Sequence, residues 1–173
     1  EIKWDGWRIQ IIRDAEGIRI YSRHKTDWTK RLPGIVAAAR ELKADAFIID
    51  AELISSGDFN DIPAGITRQE VSAIAFDLLH LDGADLRREP LEDRKETLAN
   101  LLADAPDCIQ LSDVFTDSAK LLEVAVEYGL EGIVTKRLGS AYSSNRCFSW
   151  LKTKTSAWKA ANADRGQRFR KSR

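Results

Sequence analysis

Residues 8–23, RIQIIRDAEGIRIYSR, alternate apolar and polar side chains on either side of Asp14-Ala15-Glu16-Gly17. A period of two puts the apolar side chains on one face of a strand, and the central turn formers fold that strand back on itself. A β-hairpin near the start is the strongest constraint in the chain, because whatever follows must cover its apolar face. Further strand-like runs are AFIIDAELIS (46–55), VSAIAFDLLHL (71–81, ended by Asp82-Gly83), CIQLSDVF (108–115), EGIVTKR (131–137) and FSWLKTK (148–154). Helical spacing is read in LPGIVAAARELKAD (32–45, Pro33 near its start), PLEDRKETLANLLADA (90–105, Pro90 at its start) and DSAKLLEVAVEYG (117–129). In the last of these Asp117 is the expected N-cap and Gly129 the stop. Residues 57–70 read as a loop. Strands dominate and consecutive ones are often joined by short turns. The expected class is α+β, mostly antiparallel sheets flanked by helices, rather than a parallel doubly wound sheet.

At 173 residues the chain is long enough to bury one substantial core. No run of about 18 apolar residues is present, so no transmembrane helix and no membrane partner are expected. Cys108 and Cys147 fit no zinc spacing and point to a reducing compartment; with only His24 and His80, a histidine-based zinc site or triad is disfavoured. The formal net charge of zero hides an asymmetry. Residues 152–173 hold eight Lys/Arg and one acid, +7, which leaves 19 basic and 26 acidic groups, −7, in the other 151 residues. A basic end on an acidic body suits a polyanion, and it equally describes a solvated terminus.

Several strands carry charges that a core would reject: Lys3 and Asp5, Glu52, Glu131 with Lys136, and Lys152 with Lys154. Lys152 and Lys154 are two apart, so both leave one face of their strand. Two such ammoniums repel unless an anion lies between them, and phosphate is the natural one. Glu52 and Glu131 offer hard oxygens of the kind Mg²⁺ takes. Phe76, mid-strand, is available to stack on a flat ring. Lys3 lies in EIKWDGWR (1–8) beside Asp5-Gly6, which reads as a tight turn. A lysine amine becomes a nucleophile when desolvated or set beside other cations. Its attack on the α-phosphate of a nucleotide gives a lysyl phosphoramidate, which calls for cations and a metal on the phosphate, carboxylates for the metal and an aromatic for the base.

Taken in order, these segments resemble the motifs of the covalent nucleotidyltransferases, and among them the ATP-dependent DNA ligases. KWDGWR (3–8) matches the KxDGxR motif around an adenylated lysine, and YSRHKTDWT (21–29) resembles the next motif, with Arg23. IIDAELI (48–54) is similar to the strand carrying Glu52, with Ala51 where glycine is usual. AFDLLHLDG (75–83) carries Phe76, EGIVTKR carries Glu131, and WLKTK (150–154) carries Lys152 and Lys154. The run AYSSNRCFSWLKTK (141–154), which includes Arg146, looks most like the ligase domain of bacterial end-joining ligase D.

The resemblance implies an ATP-grasp-like adenylation domain over residues 1–155, a basic tail over 156–173, and no OB-fold. It also implies further elements before residue 1. Lys3 would take AMP from ATP, with Lys152 and Lys154 on the α-phosphate. Glu1, Arg8, Arg23, Glu52, Phe76, Glu131 and Arg146 would hold the nucleotide, and Glu52 and Glu131 would also hold Mg²⁺ or Mn²⁺. AMP would pass to a DNA 5′-phosphate and be displaced by a 3′-hydroxyl. The implied partners are nicked or broken double-stranded DNA and a separate OB-fold or end-joining protein, in a bacterial cytoplasm at the nucleoid. An RNA ligase or capping-type nucleotidyltransferase, or a non-catalytic subunit binding DNA ends, are the alternatives. His24-Lys25 stands where Asn-Gly is commoner.

Overall fold

The computed structural model describes residues 1–55, 71–144 and 148–163. The loop expected at 57–70, Arg146, Cys147 and the basic stretch 164–173 lie outside the described residues. Two compact units are formed. The larger comprises Gly6–Ser112 and Arg137–Cys147; the smaller comprises Glu1–Asp5, Asp113–Lys136 and the chain from Phe148 onward.

The larger unit is built on the hairpin. Strands β2 (Trp7–Asp14) and β3 (Gly17–Ser22) pair antiparallel, with Ile11 opposite Ile20, and Ile9, Ile11 and Ile20 are fully buried. β4 (Phe47–Ser55) pairs with β2, and β5 (Val71–Leu81) pairs with β4, both antiparallel. Asp82 (φ +44°) and Gly83 (φ +90°) turn the chain into the two-residue β6 (Ala84–Asp85) through a left-handed pair that Asp-Gly favours. The carboxylate of Asp82 accepts from the backbone N–H groups of Asp45 and Ala46. β7 (Ile109–Leu111) adds parallel to β5 and is shorter than the 108–115 expected. Ser112 ends it: its N–H bonds Ala75 O, and its buried carbonyl accepts from Lys95 Nζ at 2.7 Å. Helix α1 (Pro33–Glu41) buries Ile35, Val36, Ala38 and Ala39, and α2 (Leu91–Leu101) buries Leu91 and Leu98; Ile35 and Leu98 share a core with Ile9, Phe47, Ile49 and Leu78. Both helices are shorter than their sequence patterns, with Pro33 as first residue of α1 and Pro90 at the cap of α2.

In the smaller unit β1 (Ile2–Lys3), β8 (Gly132–Lys136) and β9 (Trp150–Lys154) form an antiparallel sheet in the order β1-β8-β9. Helix α3 (Ser118–Glu127) packs Leu121 and Ala125 on Ile133, with Ile2 and Leu130 beside them. Asp117 caps it as expected, accepting from Lys120 N–H, and Gly129 (φ +65°) lies beyond its end. A short helix α4 (Ser156–Ala161) follows β9, with Thr155 as its cap. The observed class is the α+β, mainly antiparallel arrangement that the sequence predicts, and β7 on β5 is the parallel pairing among the described residues.

Candidate functional site

Sheet register assembles the charged residues of the smaller unit. Lys3 pairs with Gly132, and Gly132 pairs with Lys154, so these three residues form one row across β1, β8 and β9. Side chains in one row share a face. Glu131 precedes β8 directly and its side chain is only 4% exposed. Lys3 Nζ lies 2.6 Å from Glu131 Oε2, and Lys154 Nζ lies 2.8 Å from Oε1. One buried carboxylate therefore carries an ammonium on each oxygen. The middle of the row must be glycine. A Cβ on Gly132 would stand 2.0 Å from Thr153 O and 2.8 Å from the Cα of Lys154, and its φ is +154°.

Lys152 pairs with Val134 and is exposed, on the same face as Lys154 by the strand alternation. Glu1 sits beside β8, where its carbonyl accepts from Val134 N–H and its side chain meets Lys136 Nζ at 2.8 Å. Both side chains of that pair are more than nine-tenths buried, and the Lys136 ammonium lies 4.3 Å from the centre of the Trp150 ring. The sequence marks Lys136 as a strand charge alongside Glu131, and the structure pairs it with Glu1.

The larger unit holds the other expected positions. Arg8 on β2 forks onto Asp50 of β4, with Nε to Oδ1 at 2.9 Å and a second short bond from Nη2 to Oδ2. Arg8 Nη2 also donates to the Tyr142 hydroxyl at 2.8 Å, and that hydroxyl donates to Asp50 Oδ2 at 2.8 Å. The bond to Asp50 holds the Arg8 guanidinium well above its ordinary range, against the opposing effect of burial. Burial, helped by the Asp50 charge, pushes the Tyr142 phenol above its ordinary value. Glu52 pairs with Arg8 across β4 and β2, and its charge acts on that guanidinium.

Phe76 is half-buried while Ala75 and Asp77 on either side are fully buried. The cause is a slip of register. Ala75 faces Ala51 but Asp77 faces Asp50, so Phe76 is an extra residue in β5. Such a bulge re-aims one side chain out of the alternation. The Arg8 guanidinium lies 5.7 Å from the centre of the Phe76 ring. Arg23 is exposed, just after β3, and its N–H bonds Arg8 O at 3.1 Å. The following turn has Lys25 at φ +62°, the left-handed position that a glycine would take without steric cost.

Gly6 serves close approach, not a left-handed turn. A Cβ there would meet Leu53 O at 2.3 Å and Glu52 Cγ at 3.0 Å. Two buried acids escaped the sequence reading: Asp50 and Asp77 face each other across β4 and β5, both with 0% exposure. Asp77 is bidentate to Arg94 of α2, with Nε at 2.7 Å and Nη2 at 2.9 Å. The signal was available, since an acid inside an apolar strand run requires a buried cation. Among the described residues no group of three or more His, Cys, Asp or Glu is gathered for a metal ion. No helix of the described residues is long and apolar enough to cross a membrane.

Known proteins resemble this chain in sequence and in fold. The sequence model of the family described as "ATP dependent DNA ligase domain" matches residues 1–154. A probable DNA ligase of Streptomyces griseus is 37% identical over 89% of this chain and 35% of its own length. The multifunctional non-homologous end joining protein LigD of Pseudomonas aeruginosa is 33% identical over 89% of this chain and 20% of its own. Among solved structures, the ligase domain of Mycobacterium tuberculosis LigD superposes with a TM-score of 0.77 at 30% identity, covering 89% of this chain and 53% of that one. The shared frame is that of nucleotidyltransferase-type ligases. The chain belongs to the ATP-dependent DNA ligase domain family, and it spans about a third of the length of the Streptomyces relative.

Proposed function

We propose that this chain is the adenylation domain of an ATP-dependent DNA ligase and that Lys3 is its nucleophile. The observation that carries the reading is the pair of ammoniums, Lys3 and Lys154, on the two oxygens of buried Glu131. A free amine is required for attack, and Glu131 lies within hydrogen-bond reach of the proton that Lys3 must lose. The N–P bond forms at the α-phosphate as the bond to the β-phosphate breaks and pyrophosphate leaves. Lys154, beside Glu131, and Lys152, on the same strand face, supply positive charge for the phosphate oxygens. The AMP then passes to a DNA 5′-phosphate, and a 3′-hydroxyl displaces it to seal the strand.

Phe76, turned out of its strand by the bulge, would stack on adenine. Arg8, fixed by Asp50 and Tyr142, presents a rigid guanidinium to the ribose or to the DNA terminus. Arg23 and Arg146 are further cations for phosphate or DNA, and Glu1 would act near the adenine edge. Mg²⁺ or Mn²⁺, when bound with ATP, would withdraw charge from the phosphates, and Glu52 and Glu131 would be the hard oxygen donors for it. Each Glu131 oxygen already faces an ammonium, so one lysine would have to yield its place to the ion. Adenylation chemistry is assigned to residues 1–155, and the basic stretch beyond α4 to contact with DNA phosphates. The proposed substrate is broken double-stranded DNA in the bacterial cytoplasm, with end-joining or OB-fold proteins as partners.

Sealing assays test this reading. The chain should join a 5′-phosphorylated nick with ATP and a divalent ion, and GTP or NAD should not replace ATP. Lys3→Ala should stop that reaction and still seal a nick that already carries 5′-adenylate. Failure of the wild-type chain on both substrates would refute the proposal.

A further inference from the structure

Beyond β9, α4 returns a single aromatic side chain to the row that holds Lys3. Trp158 Nε1 donates to Asp5 Oδ2 at 3.0 Å, and Asp5 is two residues from Lys3. The Trp158 ring centre lies 3.6 Å from Lys154 Nζ, the ammonium that rests on Glu131. The helix that presents this ring is fixed at its base. Thr155 is buried; its N–H bonds Glu131 O, its hydroxyl donates to Leu130 O, and the same hydroxyl accepts from Trp158 N–H. The contacts thus run in a ring from Asp5 through Trp158, Lys154 and Glu131 to Lys3.

We infer that Trp158 is a positioning residue for Lys154: its indole face holds the ammonium on Glu131, and its N–H anchors the indole to Asp5. The inference rests on the proposed function for its catalytic meaning and on the geometry alone for the clamp. The Lys154 side chain is 36% exposed and has a long flexible stem, so Glu131 by itself would leave it several orientations. A cation over an indole face is attracted by the ring quadrupole, and Trp is the strongest of the aromatic partners. That attraction selects one orientation, the one in which Lys154 stays beside the Lys3–Glu131 pair. Sequence reading did not find this residue, because WLKTKTSAWK shows a tryptophan four positions after Lys154 and nothing in that spacing says that a helix will fold it back.

The test compares wild type with Trp158→Phe, which keeps an aromatic face, and Trp158→Leu, which removes it. In each folded protein, the reactivity of Lys154 toward acetic anhydride is measured by peptide mass spectrometry against exposed Lys120. Lys154 should become roughly 2- to 30-fold more reactive in Trp158→Leu, the range a cation–π contact supplies, and should fall between wild type and Trp158→Leu in Trp158→Phe, which keeps an aromatic face but loses the N–H to Asp5. At saturating ATP, formation of the Lys3 adduct should slow by a similar factor in Trp158→Leu and recover in part in Trp158→Phe. Equal Lys154 reactivity in all three folded proteins would overturn the inference, as would a Trp158→Phe protein that reacts like Trp158→Leu. If the reactivity contrast holds but wild type forms no Lys3 adduct, the ligase reading fails and the clamp stands.

Discussion

Arg94 and Asp77 offer the sharpest energetic test of the larger unit. Both side chains are fully buried, and the guanidinium makes two bonds to Asp77 and one each to the carbonyls of Glu89 and Ser140. Arg94→Ala leaves a buried carboxylate whose described remaining donor is Leu78 N–H at 2.9 Å. Breaking a buried pair from one side costs about 3–5 kcal/mol. For a chain of this size each kcal/mol shifts the melting temperature by about 2–4 °C, so a fall of roughly 6–20 °C is expected. Replacing both partners at once, Arg94→Met with Asp77→Leu, removes the stranded charge and should recover most of the loss. Urea titration and thermal melts of wild type, Arg94→Met, Asp77→Leu and the double variant close the cycle, with Arg94→Ala measured beside them. If the transition of the larger unit is unmoved in Arg94→Ala, or if the double variant loses the sum of the two singles, the pair is not what holds α2 on β5.

Other outcomes follow from local geometry. Phe76→Ala should weaken ATP binding by about 1–3 kcal/mol, read by calorimetry; unchanged affinity with a lowered melting temperature would make Phe76 a packing residue only. Lys25→Gly, at φ +62°, should stabilise the chain by up to about 1 kcal/mol in urea, and a loss of stability would mean the Lys25 side chain matters more than its backbone. Tyr142 gives a pH signature. Its folded pKa is raised, so above about pH 10 the unfolded chain loses a phenolic proton that the folded chain keeps, and stability declines as pH rises. That decline should be steeper in wild type than in Tyr142→Phe, by at most about 1.4 kcal/mol per pH unit, and parallel curves would contradict the burial of the phenol.

Most of the framework was legible because its signals are local. The alternation in 8–23, the Asp82-Gly83 turn, the Asp117 cap and the Gly129 stop each depend on a few adjacent residues, and each is found where the sequence places it. Element ends were less legible. Strand β7 stops at Leu111 because Ser112 gives its carbonyl to Lys95, a partner on another element. The sites divide in the same way. Lys3, Glu131 and Lys154 stand out as charges in strand-like runs, but the row that sets Lys3 and Lys154 on either side of Gly132, next to Glu131, is fixed by register across three strands. The bulge that turns Phe76 outward, the pairing of Arg8 with Asp50 and Tyr142, and the return of Trp158 all depend on long-range pairings that no window of sequence contains.

The central claim is that Lys3 forms a covalent bond to AMP. Intact mass spectrometry of the chain incubated with ATP and Mg²⁺, followed by peptide mapping, tests it directly. The account predicts a gain of one AMP, located on Lys3, absent from Lys3→Ala, lost on addition of pyrophosphate and released on sealing nicked DNA. An AMP on any other residue, or an adduct that persists in Lys3→Ala, would contradict it.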